Sequence, residues 1–171
     1  MPTLKLRFVT SNDFISDAIR AMTDCKFSHV EFVLDEDWRT ALGNRAQLLI
    51  AANLNNWTLG AHLDGGIMLR RIDYATFSAQ EIVSIECTVE DKQAAIKAAC
   101  ACIGAGYDVE DIAGIVFKQN WSQKNHYICS VFVAKTLIEA GIHVLRVAPD
   151  IAPSITPRDM YLSPLLQRVA A

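Results

Sequence analysis

Leu4, Leu6 and Phe8 alternate with Lys5 and Arg7, the period of a half-buried β-strand. Ser11 or Asn12 can then cap a helix running to about Asp24. Its Phe14, Ile15, Ala18, Ile19 and Met22 recur at helical spacing on one face. Residues 27–34 return to a strand, with His29, Glu31 and Val33 on one face and Val30 and Phe32 on the other. Residues 35–56 do not resolve: 37–42 and 46–52 are short apolar runs that periodicity assigns to neither helix nor strand. Residues 57–63 read as a strand, Asp64-Gly65-Gly66 as a tight turn, and 67–72 as the returning strand. The middle of the chain is thus an antiparallel meander.

Farther along, 80–89 alternate as a strand, and 90–103 form a helix that Gly104 ends. Residues 107–120 predict a short helix and loop. Residues 128–140 predict a helix closed by Gly141, and 142–147 a last edge strand. Thr156-Pro157 reads as an N-cap followed by proline in the first turn, opening a short helix through Tyr161. Strands with interspersed helices and no repeat or linker predict a single α+β domain over 1–171, an antiparallel sheet packed against helices.

Composition narrows the function. Hydrophobic residues make up 51% of the 171, enough for one real core. The net charge of -3 offers no basic field for a nucleic-acid backbone, so nucleic-acid partners are not expected. Five cysteines, an odd number without a regular framework, argue against a disulfide scaffold. Cys100-Ala101-Cys102 lacks both zinc-knuckle spacing and a second pair, so it reads as core, and no metal or cofactor is expected. The N-terminus has no signal-peptide h-region, and no apolar run reaches membrane-spanning length. These features predict a cytoplasmic protein without stable membrane insertion, with virion association the other expectation.

The candidate chemistry is Cys129 at the start of one helix and His29 on a strand. A thiolate at a helix N-terminus is stabilised by the dipole and free N–H groups, and an imidazole nearby can take its proton. The plainer readings are a buried core cysteine and a hydrogen-bonded strand histidine. Glu31 shares the face of His29, and a carboxylate there can orient the ring and favour its charged form. His62 shares a face with Gly60 on the next strand and becomes a third polar member only if the two strands pair in the right register. His126 reads as a solvated loop residue and His143 as structural or exposed.

Taken in order, these segments resemble the circularly permuted NlpC-type papain-like cysteine hydrolases. Ser28-His29-Val30-Glu31-Phe32-Val33 resembles the family's histidine strand, and Cys129-Ser130-Val131 its cysteine helix. Gly60-Ala61 with Gly65-Gly66-Ile67, Gly106-Tyr107-Asp108, and Ile155-Thr156-Pro157-Arg158-Asp159-Met160-Tyr161 resemble further family segments. The hairpin is most similar to phage and prophage members. The resemblance implies a papain-like fold in permuted order, with the histidine strand before the cysteine helix. It implies hydrolysis of an amide bond, often in a cell-wall murein peptide, with phage particle proteins as possible partners. Two positions depart from the pattern. Val131 stands where Glu or Gln is usual, and Gly60 stands where the third polar residue is usual, leaving that role to Glu31, to His62, or to neither. A lipid or acyl amide/ester acyltransferase of the same fold, and an inactive structural or binding subunit of a phage particle, are the other expectations.

Overall fold

The computed structural model describes residues 1–44, 53–107, 126–145 and 155–169. The predictions for 46–52 and for most of 107–120 fall outside them. A six-stranded antiparallel sheet is built from β1 (Thr3–Thr10), β2 (His29–Val33), β3 (Trp57–His62), β4 (Gly66–Arg71), β5 (Ala79–Glu86) and β8 (Gln167–Arg168), in the order β4-β3-β2-β1-β5-β8. Two short strands, β6 (Gly106–Tyr107) and β7 (His126–Tyr127), pair in parallel beside β4. The helices are α1 (Phe14–Thr23), α2 (Trp38–Leu42), α3 (Val89–Ala101), α4 (Cys129–Glu139) and α5 (Pro157–Tyr161). The α+β class and the central antiparallel meander stand as expected.

The alternation in the strands decides the two faces. Leu4, Leu6, Phe8, Val30, Phe32, Leu59, Ala61, Val83 and Ile85 are all buried and belong to one core with Phe132, Val133 and Leu137 of α4 and Ala95, Ile96 and Ala99 of α3. Phe32 meets Phe132 edge-on, with ring centroids 5.8 Å apart. Each of the larger side chains, from Val to Phe, is stabilised by about 1.5–3 kcal/mol on leaving water, so this face anchors α4 against β2 and β3. The opposite face carries Arg7, Glu31, Gly60 and His62, and the aromatic rings of Tyr74 and Phe77 lie over it. Gly66 adopts a positive φ of 69° where β4 meets the 104–105 segment; a Cβ there would lie 2.0 Å from the Ala105 carbonyl oxygen.

Three expectations are corrected. Residues 142–145 form no strand; Ile142 and Val144 are buried core instead, and the edge of the sheet is β8, paired to β5 through Val83–Arg168 and Ser84–Gln167. An alternating apolar pattern of that length serves a loop packed on the core as well as a strand. The cap of α1 is Asp13, which accepts from the Ser16 N–H, rather than Ser11 or Asn12. The apolar stripe of α1 does not face the core: Ser16 and Thr23 are buried, while Phe14 is 87% and Met22 42% exposed. Ser16 is held inward by its hydroxyl contact with Ser28, 2.6 Å away. By contrast, α5 is built as expected, with Pro157 in the first turn and a reciprocal capping box between Thr156 and Asp159.

Candidate functional site

Cys129 is the first residue of α4, after an extended Ile128 at the N-cap. Its sulfur lies 4.0 Å from the carbonyl oxygen of Ser28, the residue just before His29, and Cys129 is 3% exposed. Burial by itself would raise the thiol pKa. The charge and hydrogen bond of His29, helped by the backbone N–H groups of Val30 and Ser130, outweigh it and hold the pKa below the ordinary thiol value. The same pair acts on His29. Burial pushes its pKa down, but the Cys129 charge and hydrogen bond, followed by Glu31, carry it up to about 10. The two therefore favour a thiolate–imidazolium pair.

His29 opens β2, and its side chain keeps 17% exposure. Two residues on, Glu31 is fully buried, with Oε2 3.6 Å from His29 Nε2. His62 closes β3, and its Nε2 is 3.7 Å from the same oxygen. Cross-strand pairing decides this meeting. Phe32 pairs with Leu59 and Val33 with Thr58; continued along the strands, that register sets Glu31 opposite Gly60 and His29 opposite His62. The imidazole rings lie 5.0 Å apart. Glu31 and His62, alternatives on the sequence, are brought together here.

One residue of the cluster was missed. Arg7 reads from the sequence as an outward charge on a half-buried strand, yet it is 1% exposed. It pairs across β1–β2 with Glu31, and its Nε donates to Oε1 at 2.7 Å, with Nη2 donating to the same oxygen. Nη1 donates to the Ile72 carbonyl, and the guanidinium stacks 4.9 Å from the Phe77 ring centroid. The available signal was the matching position of opposite charges on adjacent strands. Burial would raise the Glu31 pKa, but His29 and then Arg7 draw it down to about 2, so the carboxylate is charged. Burial, then the neighbouring His29 charge, pushes His62 down to about 3, so its ring is neutral. The Tyr74 ring meets it edge-on, 5.2 Å away.

His29 and His62 open into a cleft of about 480 Å³, walled chiefly by Phe14, Ile15, Ile19, Leu63, Tyr74 and Phe77. The exposed, inverted face of α1 forms one side of it. His143 is exposed; His126 begins β7. None of the five cysteines forms a disulfide. Among the described residues, His29, Glu31 and His62 form the one group of metal-ligating side chains whose donor atoms all lie within 4.8 Å. His29 Nε2, Glu31 Oε2 and His62 Nε2 are buried and lack a hydrogen-bond partner among the described residues, so this donor set fits a metal ion. The sequence reading assigned no metal ligands, because the three donors converge only through strand pairing.

No helix among the described residues is long and apolar enough to cross a membrane. No protein-family model and no curated protein matches the chain. A crystal structure of the metalloprotein YiiX from Escherichia coli O157:H7, DUF1105, matches with a TM-score of 0.64 at 17% identity, covering 98% of this chain and 96% of that one. The resemblance to NlpC-type cysteine hydrolases is corrected by this finding, because the fold neighbour is a protein of a different description. The segments behind that resemblance are short, and strand ends, glycine turns and capped helix starts recur wherever the backbone needs them. At this identity the likeness shows a shared fold over nearly the full length.

Proposed function

We propose that the chain is a cysteine hydrolase acting on an amide or ester carbonyl, with Cys129 as nucleophile, His29 as acid–base and Glu31 as the residue that positions His29. The observation that carries this reading is the thiol of Cys129 set against His29 at a helix start, with the charged Glu31 on the ring's other side. The layout is papain-like, with the histidine strand ahead of the cysteine helix in the chain.

The chemistry follows from those positions. His29 Nε2 faces Glu31, which leaves Nδ1 to serve the sulfur. The thiolate attacks the carbonyl carbon, forming a C–S bond as the C=O electrons move onto oxygen. The N–H groups of Cys129 and Val131, in the first turn of α4, have no partner within the helix and stabilise that oxyanion, while that of Ser130 serves the sulfur. The oxyanion collapses, the C–N or C–O bond breaks, and the leaving group takes the His29 proton. Water, deprotonated by His29, then attacks the thioester and releases the acid, restoring the thiol. Arg7 acts through Glu31 by fixing Oε1, so that Oε2 stays aimed at the ring.

A peptide amide, as in cell-wall murein, is one substrate class for this machinery. The cleft favours a second reading, an amide or ester of an apolar acyl group, because Phe14, Ile15 and Leu63 are exposed apolar residues along its rim. Murein peptides and p-nitrophenyl acyl esters of increasing chain length, assayed with wild type and Cys129→Ala, test both. Turnover that depends on Cys129 supports the thiol chemistry; a preference for long acyl chains that Phe14→Ser removes supports the apolar substrate. Turnover unchanged in Cys129→Ala overturns the thiol mechanism.

A further inference from the structure

We infer that His29 Nε2, Glu31 Oε2 and His62 Nε2 bind one divalent transition-metal ion of the zinc class where β2 and β3 meet. The first ground is the state of the donors. All three atoms are buried without a hydrogen-bond partner among the described residues, and all three point to one place. Glu31 is fully buried and His62 is 6% exposed, so solvent does not satisfy these atoms. Buried polar groups are nearly always paired, and three convergent exceptions mark a position for a shared partner.

The second ground is geometry. The carboxylate oxygen is 3.6 Å from one ring nitrogen and 3.7 Å from the other. Ligands about 2.0–2.2 Å from a tetrahedral ion stand roughly 3.4 Å apart, close to both carboxylate–imidazole separations, while the two ring nitrogens lie within 4.8 Å of each other and must close onto the ion. Octahedral neighbours stand roughly 3 Å apart, a poorer fit. Donor chemistry points the same way. Two imidazole nitrogens and one carboxylate oxygen suit zinc-like ions, whereas calcium and magnesium take oxygen. Arg7 offsets the charge of Glu31, and the ion takes the place of the proton on His29 Nε2, so binding releases that proton and nitrogen donation is the main attraction.

The surroundings are built for a ligand. Arg7 holds the outer oxygen of Glu31, and the Tyr74 ring braces His62, so two of the three donors are oriented from behind. Three protein donors leave a fourth position open, and both histidines line the cleft. If the thiol reading holds, the ion and catalysis exclude each other. A cation on Nε2 takes the lone pair that His29 needs to carry its second proton, so hydrolysis stops while the site is loaded.

Equilibrium dialysis of the metal-free chain against zinc, followed by metal analysis, tests the site without any activity measurement. One zinc per chain is expected, with affinity at least about 10-fold lower in His62→Gln and not reduced in Cys129→Ala. Thermal melts of the metal-free variants check that each folds. Should His62→Gln not fold, the cobalt(II) spectrum of the wild type decides: tetrahedral d–d bands without a thiolate charge-transfer band support the three named ligands. Zinc lost in Cys129→Ala but kept in His62→Gln, or a sulfur-to-cobalt band, places the ion on the thiol and overturns the site. No stoichiometric zinc in the folded wild type overturns it as well and leaves an internal water as the shared partner. Labelling of Cys129 in metal-free protein tests the thiol reading separately.

Discussion

Gly60 lies opposite Glu31, and the carboxylate side chain occupies the room that a side chain at position 60 would need. A Cβ on Gly60 would stand 2.9 Å from Glu31 Cβ, 3.3 Å from Oε2 and 3.2 Å from His62 Nε2. The absence of a side chain at 60 is what admits the Glu31 carboxylate between the two histidines. Gly60→Ala is therefore expected to destabilise the fold by about 1–3 kcal/mol, since a packed interior resists even one added methyl. Chemical denaturation measures this, and an unchanged midpoint would contradict the close approach.

Cys129 is expected to react with iodoacetamide faster than Cys25, Cys87, Cys100 and Cys102 at neutral pH, read by mass spectrometry of the labelled peptides. Burial raises the Cys87 and Cys102 thiols, whereas His29 lowers that of Cys129. His29→Ala should slow the labelling and cut any turnover by about 100-fold to 10,000-fold, the usual cost of losing a general base. Equal labelling of all five would favour a non-catalytic binding protein.

Arg7 and Glu31 form a buried ion pair, so removing one partner strands the other. Arg7→Met and Glu31→Gln should each destabilise the protein, the first by about 3–5 kcal/mol. The double variant should recover much of that loss, because neither charge is then left alone. Urea unfolding of the four proteins gives the coupling directly; additive losses would show that the pair is not coupled. Glu31→Gln should also lower turnover, by roughly 10-fold if it only orients His29.

Lys92 ties α3 to the start of α2 through Asp35, 2.7 Å away, and Asp37. Burial would lower its pKa, but hydrogen bonds to the two carboxylates raise it overall. The sign follows. A raised folded-state pKa gives stability that is fully present below the ordinary lysine value of about 10.4 and is lost as pH climbs through the folded value. The melting temperature of wild type should fall between pH 9 and pH 11.5 by more than that of Lys92→Met, where the ranges are about one unit either side of that value. Parallel curves would remove Lys92 from this role.

Much of the sheet was legible because strand alternation is a local property. Leu4, Leu6 and Phe8, or Val30 and Phe32, mark a buried face wherever the strand is placed. The Thr156–Asp159 box and Pro157 likewise predict a helix start from neighbouring residues alone. The sequence determined that Cys129 begins a helix and that His29 and Glu31 share a face two residues apart.

The tertiary structure decided what those residues meet. His62 reaches Glu31 only because Phe32 pairs with Leu59, and a shift of one residue would turn it to the core side. Arg7 became a buried partner only when β1 was set beside β2 with Arg7 across from Glu31. The apolar stripe of α1 looked like a core face, since periodicity reports which residues share a side and not which side is covered. The Ser16–Ser28 contact and the packing of Thr23 turned that stripe outward, so that Phe14 and Ile15 became the rim of a cleft.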